Sequence, residues 1–521
     1  MRCCLIWLFT FLMIPAMAQE RVSLLGQLGY DVRSSDIWGW ESETGRKYAI
    51  VGLFNGTSLV DITEPTAPIE VVFIEGPESI WRDMKVWNNH AYITNETSGG
   101  LFIIDLNDLP AFPDTASFTG NDLSSAHNIF IDENGVAYLL GSNILGGGAV
   151  FLDLTGDPLN PVFLGAYEEQ YIHDAFIRGD TMWAAEIYVG RTSVVDVSDK
   201  SNPVVLSAQE SPSAFTHNTW VSGDGNYLFS TDEVSGGYVA AYDVSDIFDI
   251  REIARYRSSP GSGVIPHNTF WHDGYLITSY YRDGITVVDA HQPDNLIEVG
   301  YYDTSPFESD NGFNGCWGVY PYFTDGLMIG SDIEEGLFIL QPDYQRASYL
   351  EGVVMDVVTG LPAGGAQIEV LTTENKVFSA VNGLYKTGAA FPGMYDIRIS
   401  KPGCVTVIET GVELEQGLVT ELPVMLNCTA TVAIEDVHTM EMMALPTAFK
   451  SSCMLIVPDA AAAAYATVNI YSLNGTLAER HLLQPGRTHL MVGEQLPSGM
   501  YLAALQYDNQ PMQRLRIVKQ D

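Results

Sequence analysis

The sequence is poor in positive charge: 25 Lys and Arg stand against 65 Asp and Glu in 521 residues, a formal net charge of −40. Binding a phosphate backbone or an anionic membrane surface depends on cations that neutralise phosphates, so no nucleic-acid partner is expected. Long apolar runs are equally scarce. After residue 18 no stretch is long and apolar enough to span a bilayer, and no transmembrane span is expected. There is no Asp-x-Asp-x-Asp-Gly loop for calcium, no Gly-x-Ser-x-Gly nucleophile elbow, and no glycine-rich phosphate cradle opening a helix. Those absences remove three common routes to an enzymatic reading.

Cysteine is sparse, and two of the six lie in the first four residues. Residues 1–18 hold one Arg, an apolar run, and Ala16-Met17-Ala18 as a small-x-small cleavage site, the pattern of a signal peptide. Cys3 and Cys4 precede the apolar run instead of ending it, which is not the arrangement of a lipid anchor. Of Cys316, Cys404, Cys428 and Cys453, the pair Cys404 and Cys428 falls within one expected domain. Export permits a disulfide there, but spacing alone does not establish it. The 46% hydrophobic share, with 48 Gly, 25 Pro and 26 Tyr, suits strands and turns, and the length implies two to four domains.

A period near 45 residues runs through the first two thirds of the chain. A strand ending in Asp recurs as SLVDIT, LFIIDL, AVFLDL, SVVDVS, AAYDVS and ITVVDA, placing Asp61, Asp105, Asp153, Asp196, Asp243 and Asp289; a seventh copy, LFILQP, has Gln341 instead. A second series marks the unit openings: Trp38-Gly39, Arg82-Asp83, His127-Asn128, His173-Asp174, His217-Asn218, His267-Asn268 and Trp317-Gly318. Both series count seven. Each unit holds four short β-branched or aromatic runs divided by Gly, Asn, Asp and Pro, so the expected fold is all-β, a seven-bladed β-propeller over residues 20–345. LLGQLGY at 24–30 resembles the fourth-strand segments VFLGAY and IEVGYY, while the seventh unit stops after its third strand. The first strand of the exported chain is therefore expected to complete the last blade and close the ring.

The strands SLVDIT, SVVDVS and ITVVDA resemble the LVIVD repeat, and the whole arrangement is similar to the choice-of-anchor B family of surface proteins. Tyr242 before Asp243 and Gln341 depart from the repeat. The resemblance implies a secreted or cell-surface location and no particular reaction. Residues 347–428, with Thr359-Gly360, Pro362, Gly365-Ala366, Asn382-Gly383-Leu384-Tyr385 and Gly393-Met394-Tyr395, resemble the carboxypeptidase regulatory-like domain, a small β-sandwich without catalytic residues. After a linker at 429–445, residues 446–521 are similar to the type IX secretion sorting domain, another small β-sandwich. That resemblance rests on Asn474-Gly475, on Pro497-Ser498-Gly499-Met500-Tyr501 and on a basic last strand; Thr447, Ala448 and the alanines at 460–464 depart from it. It implies the type IX secretion machinery as a partner, and release from, or display on, the outer membrane of a Gram-negative bacterium.

Equivalent positions of successive blades share a level about the axis, so His127, His173, His217 and His267 are expected together, with Asp83 and Asp174 near them and Trp38 and Trp317 lining the channel. Three readings of this ring stand open. The imidazoles hold Fe, Cu or Zn, with the two aspartates as ligands or supports, in a metal-dependent oxidoreductase or hydrolase. Alternatively they tie each blade's first strand to the adjacent loop, a hydrogen bond that arises with the repeat itself, as the Gly-His pair does in WD-repeat proteins. Or they line a metal-free channel in a protein that binds a protein or glycan ligand.

Overall fold

The computed structural model describes residues 19–428, 442–458, 466–472, 475–507 and 513–520. The expected signal peptide, most of the expected linker, the alanine run and Asn474 lie outside them. Among the described residues the only helical segments are two 3-10 turns, Gly120–Asp122 and Leu145–Gly147, and no helix is long and apolar enough to cross a membrane. The chain divides into two compact units at residue 428.

The first unit opens with antiparallel sheets spanning 34–75, 84–118, 128–167, 174–210, 216–256, 269–302 and 316–342, each ordered along the chain. The sheet at 269–302 gains a short outer strand, Gln19–Glu20, beside Ile297–Tyr302. The sheet at 316–342 takes its fourth strand from Val22–Leu28, which pairs with Gly336–Pro342. First strands of successive sheets lie side by side through the sixth sheet, and Cys316–Tyr320 of the last lies against Tyr275–Ser279 of the sixth and Ser34–Glu41 of the first. The architecture is that of a β-propeller. Neighbouring sheets pack face to face through alternate apolar side chains: Ile37, Val51 and Val60 of the first sheet share a core with Leu337 and Ile339 of the seventh. Each such buried aliphatic side chain contributes roughly 1.5–3 kcal/mol.

The recurrent Asp has a local cause. In six sheets it ends the third strand, and its Oδ1 accepts the backbone N–H two residues on, from Thr63, Asn107, Thr155, Ser198, Ser245 and His291, at 2.8–3.1 Å. This Asx turn reverses the chain into the fourth strand. The seventh sheet has no such reversal, because its fourth strand comes from the other end of the unit. Gln341 accordingly replaces Asp there, and its amide donates to the Gly326 and Pro342 carbonyls.

The rest of the first unit pairs two sheets around one core. In one, Ser348–Asp356 is flanked by Leu384–Ala389 and by Val419–Glu421 and Val424–Leu426; the other runs Lys376–Phe378, Gln367–Val370, Gly393–Ser400 and Val407–Leu414. Leu350, Val354, Ile368, Ile397 and Leu426 fill the space between. Cys404 and Cys428 are bonded to each other. This part rests on the third-to-fourth-strand turn of the sixth propeller sheet. Asn295 donates to the Thr387 carbonyl, Lys386 pairs with Asp294 and Glu351, and buried Asp289 accepts from Ala347 N–H and Arg346.

The second unit has a three-stranded sheet, Met443–Leu445, Cys453–Ile456 and His489–Val492, and a five-stranded one in which Gln513–Lys519, Gly499–Tyr507 and Ala466–Ser472 are central. Phe449, Leu455, Val468, Leu505 and Ile517 form its core.

Candidate functional site

The strand registers fix three levels along the propeller axis. Trp38 lies opposite Ile50, and Ile50 opposite Leu59, two residues before Asp61; Phe130, Tyr138 and Phe151 stand in the same relation to Asp153. The corresponding first-strand residues are Lys85, Phe176, Trp220, Phe270 and Tyr320. Their rings meet at the axis, with centroids 5.3 Å apart for Phe130 and Phe176, 5.0 Å for Phe176 and Trp220, and 4.9 Å for Trp220 and Phe270. Trp38 joins through Phe270 and Tyr320, and the Lys85 ammonium sits 4.4 Å above the Trp38 ring. This aromatic layer plugs the channel.

Two residues earlier in each strand comes a polar level: Asp36, Asp83, Asn128, Asp174, Asn218, Asn268 and Gly318. A Cβ on Gly318 would stand 2.0 Å from Asp36 Oδ1, which accounts for glycine there. Lys85 Nζ donates to Asp83 at 2.7 Å, and Asn218 Nδ2 to Asp174 at 2.7 Å. Burial, reinforced by the Asp83 charge, pushes the Asp36 carboxyl well above its ordinary range, with Lys85 opposing. Burial likewise raises Asp174 to about 6 against the Asn218 hydrogen bond. Burial disfavours the Lys85 ammonium too, but Asp83 and Asp36 outweigh it and hold its pKa above the usual lysine value.

One residue earlier again lie Ser35, Arg82, the four histidines and Trp317. The imidazoles form a row of tilted ring contacts, with centroids 4.0 Å apart for His127 and His173, 4.2 Å for His173 and His217 and 4.5 Å for His217 and His267, and Trp317 follows 5.2 Å from His267. Burial, helped by neighbouring imidazoles, holds His173 and His217 well below the ordinary value, and burial takes His267 to about 3. The backbone of the next opening residue opposes that shift for each ring: His217 for His173, His267 for His217, and Trp317 for His267. The row thus links neighbouring sheets through ring contacts. It also leaves the Nδ1 atoms of His173, His217 and His267 buried without a partner, like Asn128 Oδ1 and Asn268 Oδ1 one level below.

Two glutamates complete the row. His127 Nδ1 is 2.5 Å from Glu96 Oε1, and His217 Nε2 is 3.5 Å from Glu233 Oε2, whose other oxygen accepts the Tyr281 hydroxyl at 2.7 Å. Burial raises the Glu233 carboxyl to about 7, with the Tyr281 bond opposing. Glu96 and Glu233 occupy equivalent positions just past the second strand, in TNETSGG at 94–100 and TDEVSGG at 231–237. That shared motif was the signal by which the sequence could have revealed both. A cavity of about 20 Å³, bounded by Trp81, Arg82, Asp83, His127, His217 and Trp317 among others, adjoins the row. It holds one water or one ion and no organic molecule.

Three of the expected residues sit at other levels or with other partners than the imidazoles. Trp38 is not at the histidine level: the first unit opens at Ser35-Asp36, and Trp38 belongs to the aromatic plug three positions on. Asp83 faces the small cavity, but its carboxylate is engaged by Lys85. Asp174 is one level down and is held by Asn218 and its neighbour's N–H. The carboxylates beside the imidazoles are Glu96 and Glu233, supplied by loops between second and third strands.

With the fold and this axial row in view, the class is a β-propeller carrying LVIVD repeats. The LVIVD repeat family model matches residues 46–74 and 188–208. The chain is similar in structure to the β-propeller domain of Myceliophteria thermophila Cps50 (Swd1), at 10% sequence identity and a TM-score of 0.44, over 62% of this chain and 100% of that one. No curated protein matches it.

Proposed function

We propose that this chain is an exported seven-bladed propeller that binds a protein or glycan ligand on one end of the ring, with the two regions behind the propeller serving display and export by a type IX-like route. The observation that carries the binding reading is the contrast between a blocked axis and a sticky rim. The axial cavity is too small for an organic substrate, and the aromatic layer closes the channel beneath it. The loops on the histidine end instead present large exposed side chains: Trp81, Tyr188, Phe307 and Phe313, with Tyr188 76% and Phe313 57% exposed. Glu78, Glu308 and Asp310 stand among them in the same loops, and Glu168 and Glu169 in the loop at 168–173, whose Tyr171 meets Tyr188. Exposed aromatic groups of this kind mark interaction surfaces, and Trp and Tyr supply most of the energy where they dock. The carboxypeptidase regulatory-like region rests on the opposite end, at the turn bearing Asp294 and Asn295, and so leaves the rim clear of itself.

The test uses the mature chain, labelled, against an immobilised panel of polysaccharides and against extracellular protein fractions. Capture by a discrete component should fall at least tenfold in the double variant Tyr188→Ala, Phe313→Ala. It should not change in Phe248→Ala, an equally exposed residue (72%) in a turn at the other end. Binding that ignores the rim variants, or that follows Phe248, refutes this reading.

A further inference from the structure

We propose that His173, His217 and Glu233 form a binding site for a single divalent transition-metal ion of the zinc type, which clips the fourth and fifth propeller sheets together. One potential ligand atom of each residue lies within 4.8 Å of both others. The separation between His217 Nε2 and Glu233 Oε2 is 3.5 Å. Two ligands about 2.1 Å from a tetrahedral ion stand about 3.4 Å apart, so this pair is already spaced for one, and closing the third requires a side-chain adjustment of about an ångström.

A second, independent feature points the same way. His173 and His217 are more than nine-tenths buried, and the Nδ1 of each has no hydrogen-bond partner. A buried polar nitrogen left unpaired has a cost, which an ion held through Nδ1 of His173 would remove; His217 faces Glu233 with its Nε2 and would bind through that atom. His127 is different, since Glu96 already occupies its Nδ1. His267 has an unpaired Nδ1 as well, but no carboxylate stands beside it, and Tyr281 and Trp317 flank it at 5.2 Å each. The donors choose the metal class. Two imidazoles with one carboxylate suit zinc and its transition-row neighbours, whereas calcium and magnesium require oxygen ligands. The adjoining cavity of about 20 Å³ supplies a place for one water as fourth ligand. His173 lies at the start of the fourth sheet, while His217 and Glu233 belong to the fifth, so the ion would bridge two blades. This site is independent of the ligand proposed for the rim.

The experiment is equilibrium dialysis of the full mature chain, stripped with a chelator, against zinc alone, followed by cobalt(II) substitution read in the visible spectrum. One zinc per chain is expected at micromolar free zinc, with the visible bands of a four-coordinate cobalt site and no matching uptake of calcium. A hundredfold excess of zinc over its dissociation constant should raise the folded-to-unfolded ratio about a hundredfold. His217→Ala should abolish binding. Glu233→Gln, which keeps the size of the side chain and an acceptor for Tyr281, should weaken binding at least tenfold. His291→Ala, outside the row, should leave it intact. If His217→Ala does not fold, Glu233→Gln decides. Absence of stoichiometric zinc in the wild type overturns the proposal, as does affinity unchanged in Glu233→Gln.

Discussion

Closure of the ring can be tested with two glycines. In the third sheet Gly165 sits at a bulge opposite Phe151, and a Cβ there would fall 1.8 Å from the Lys200 carbonyl oxygen in the turn of the fourth sheet. Gly26 is its counterpart in the strand that completes the seventh sheet. It lies opposite Ile339 at the same kind of bulge, and its Cβ would fall 2.1 Å from the Pro65 carbonyl oxygen in the turn of the first sheet. Lys200 and Pro65 each lie four residues past the repeat Asp, so the two contacts are one contact seen at two junctions. Neither clash involves a flexible side-chain tip, so a backbone turn must retreat by more than an ångström. Overpacking of this kind costs about 1–3 kcal/mol, offset by up to about 1 kcal/mol from the lower entropy of the unfolded alanine chain. Gly26→Ala and Gly165→Ala should each lose about 2 kcal/mol. Gly156→Ala has no atom within 4 Å of its new Cβ and should be neutral or slightly stabilising. Urea unfolding followed by tryptophan fluorescence is the suitable assay, because every tryptophan past residue 18 lies between Trp38 and Trp317 and reports on the propeller alone. If Gly26→Ala behaves like Gly156→Ala while Gly165→Ala is destabilised, the seventh-to-first junction is not built like the others and the closure argument fails.

Asp289→Ala should cost about 2–3 kcal/mol, because this fully buried carboxylate accepts Ala347 N–H at 2.6 Å and His291 Nδ1 at 2.7 Å and also meets Arg346 at 3.2 Å. The same urea experiment measures it, and an unchanged midpoint would show that the junction behind the sixth sheet does not depend on this group. Asp332 provides a pH signature: burial lifts its carboxyl to about 7, against the N–H groups of Glu334 and Glu335 and the Thr304 hydroxyl that it accepts. The folded chain therefore holds a proton that the unfolded chain releases near pH 4, so stability falls as pH rises from about 4 to about 7, by up to about 1.4 kcal/mol per pH unit for this group. Asp332→Asn, which mimics the protonated acid, should flatten that slope between pH 5 and 7; an identical slope in the variant would refute the assignment.

Much of the propeller was legible because the repeat writes its turns in residues that perform them. The third-strand Asp is an Asx-turn acceptor, and its loss at Gln341 coincides with the one sheet whose fourth strand arrives from elsewhere. The segment LLGQLGY reads as a fourth strand, and Val22–Leu28 occupies that place. What the sequence obscured was register. The first unit has no opening His, and matching its Trp38-Gly39 to Trp317-Gly318 displaced it by three residues, an odd number that moves a strand residue to another level. Correct pairing through Ile50 and Leu59 puts Trp38 in the aromatic plug. The partners of the aspartates are hidden for a related reason. Adjacency along a strand places Asp174 beside His173 in sequence, but successive side chains point different ways, so the carboxylate turns to Asn218 and not to the imidazoles.

The oxygen partners of the histidines come instead from a neighbouring loop, and this bears on how a repeat acquires chemistry. Four imidazoles in ring contact at equivalent positions are what repetition alone would produce, and such a row is a feature of the repeat. Glu96 and Glu233 break that equivalence, because only two of the seven second-to-third-strand loops carry the Thr-Asn/Asp-Glu-x-Ser-Gly-Gly motif. One of these glutamates engages the terminal histidine directly, at 2.5 Å. The other stands 3.5 Å from a histidine whose remaining nitrogen is unpaired. A carboxylate and an imidazole buried at that separation are costly to desolvate. The proposed ion between them would offset that cost, so the distinctive chemistry of this ring is expected where the repeat is least regular.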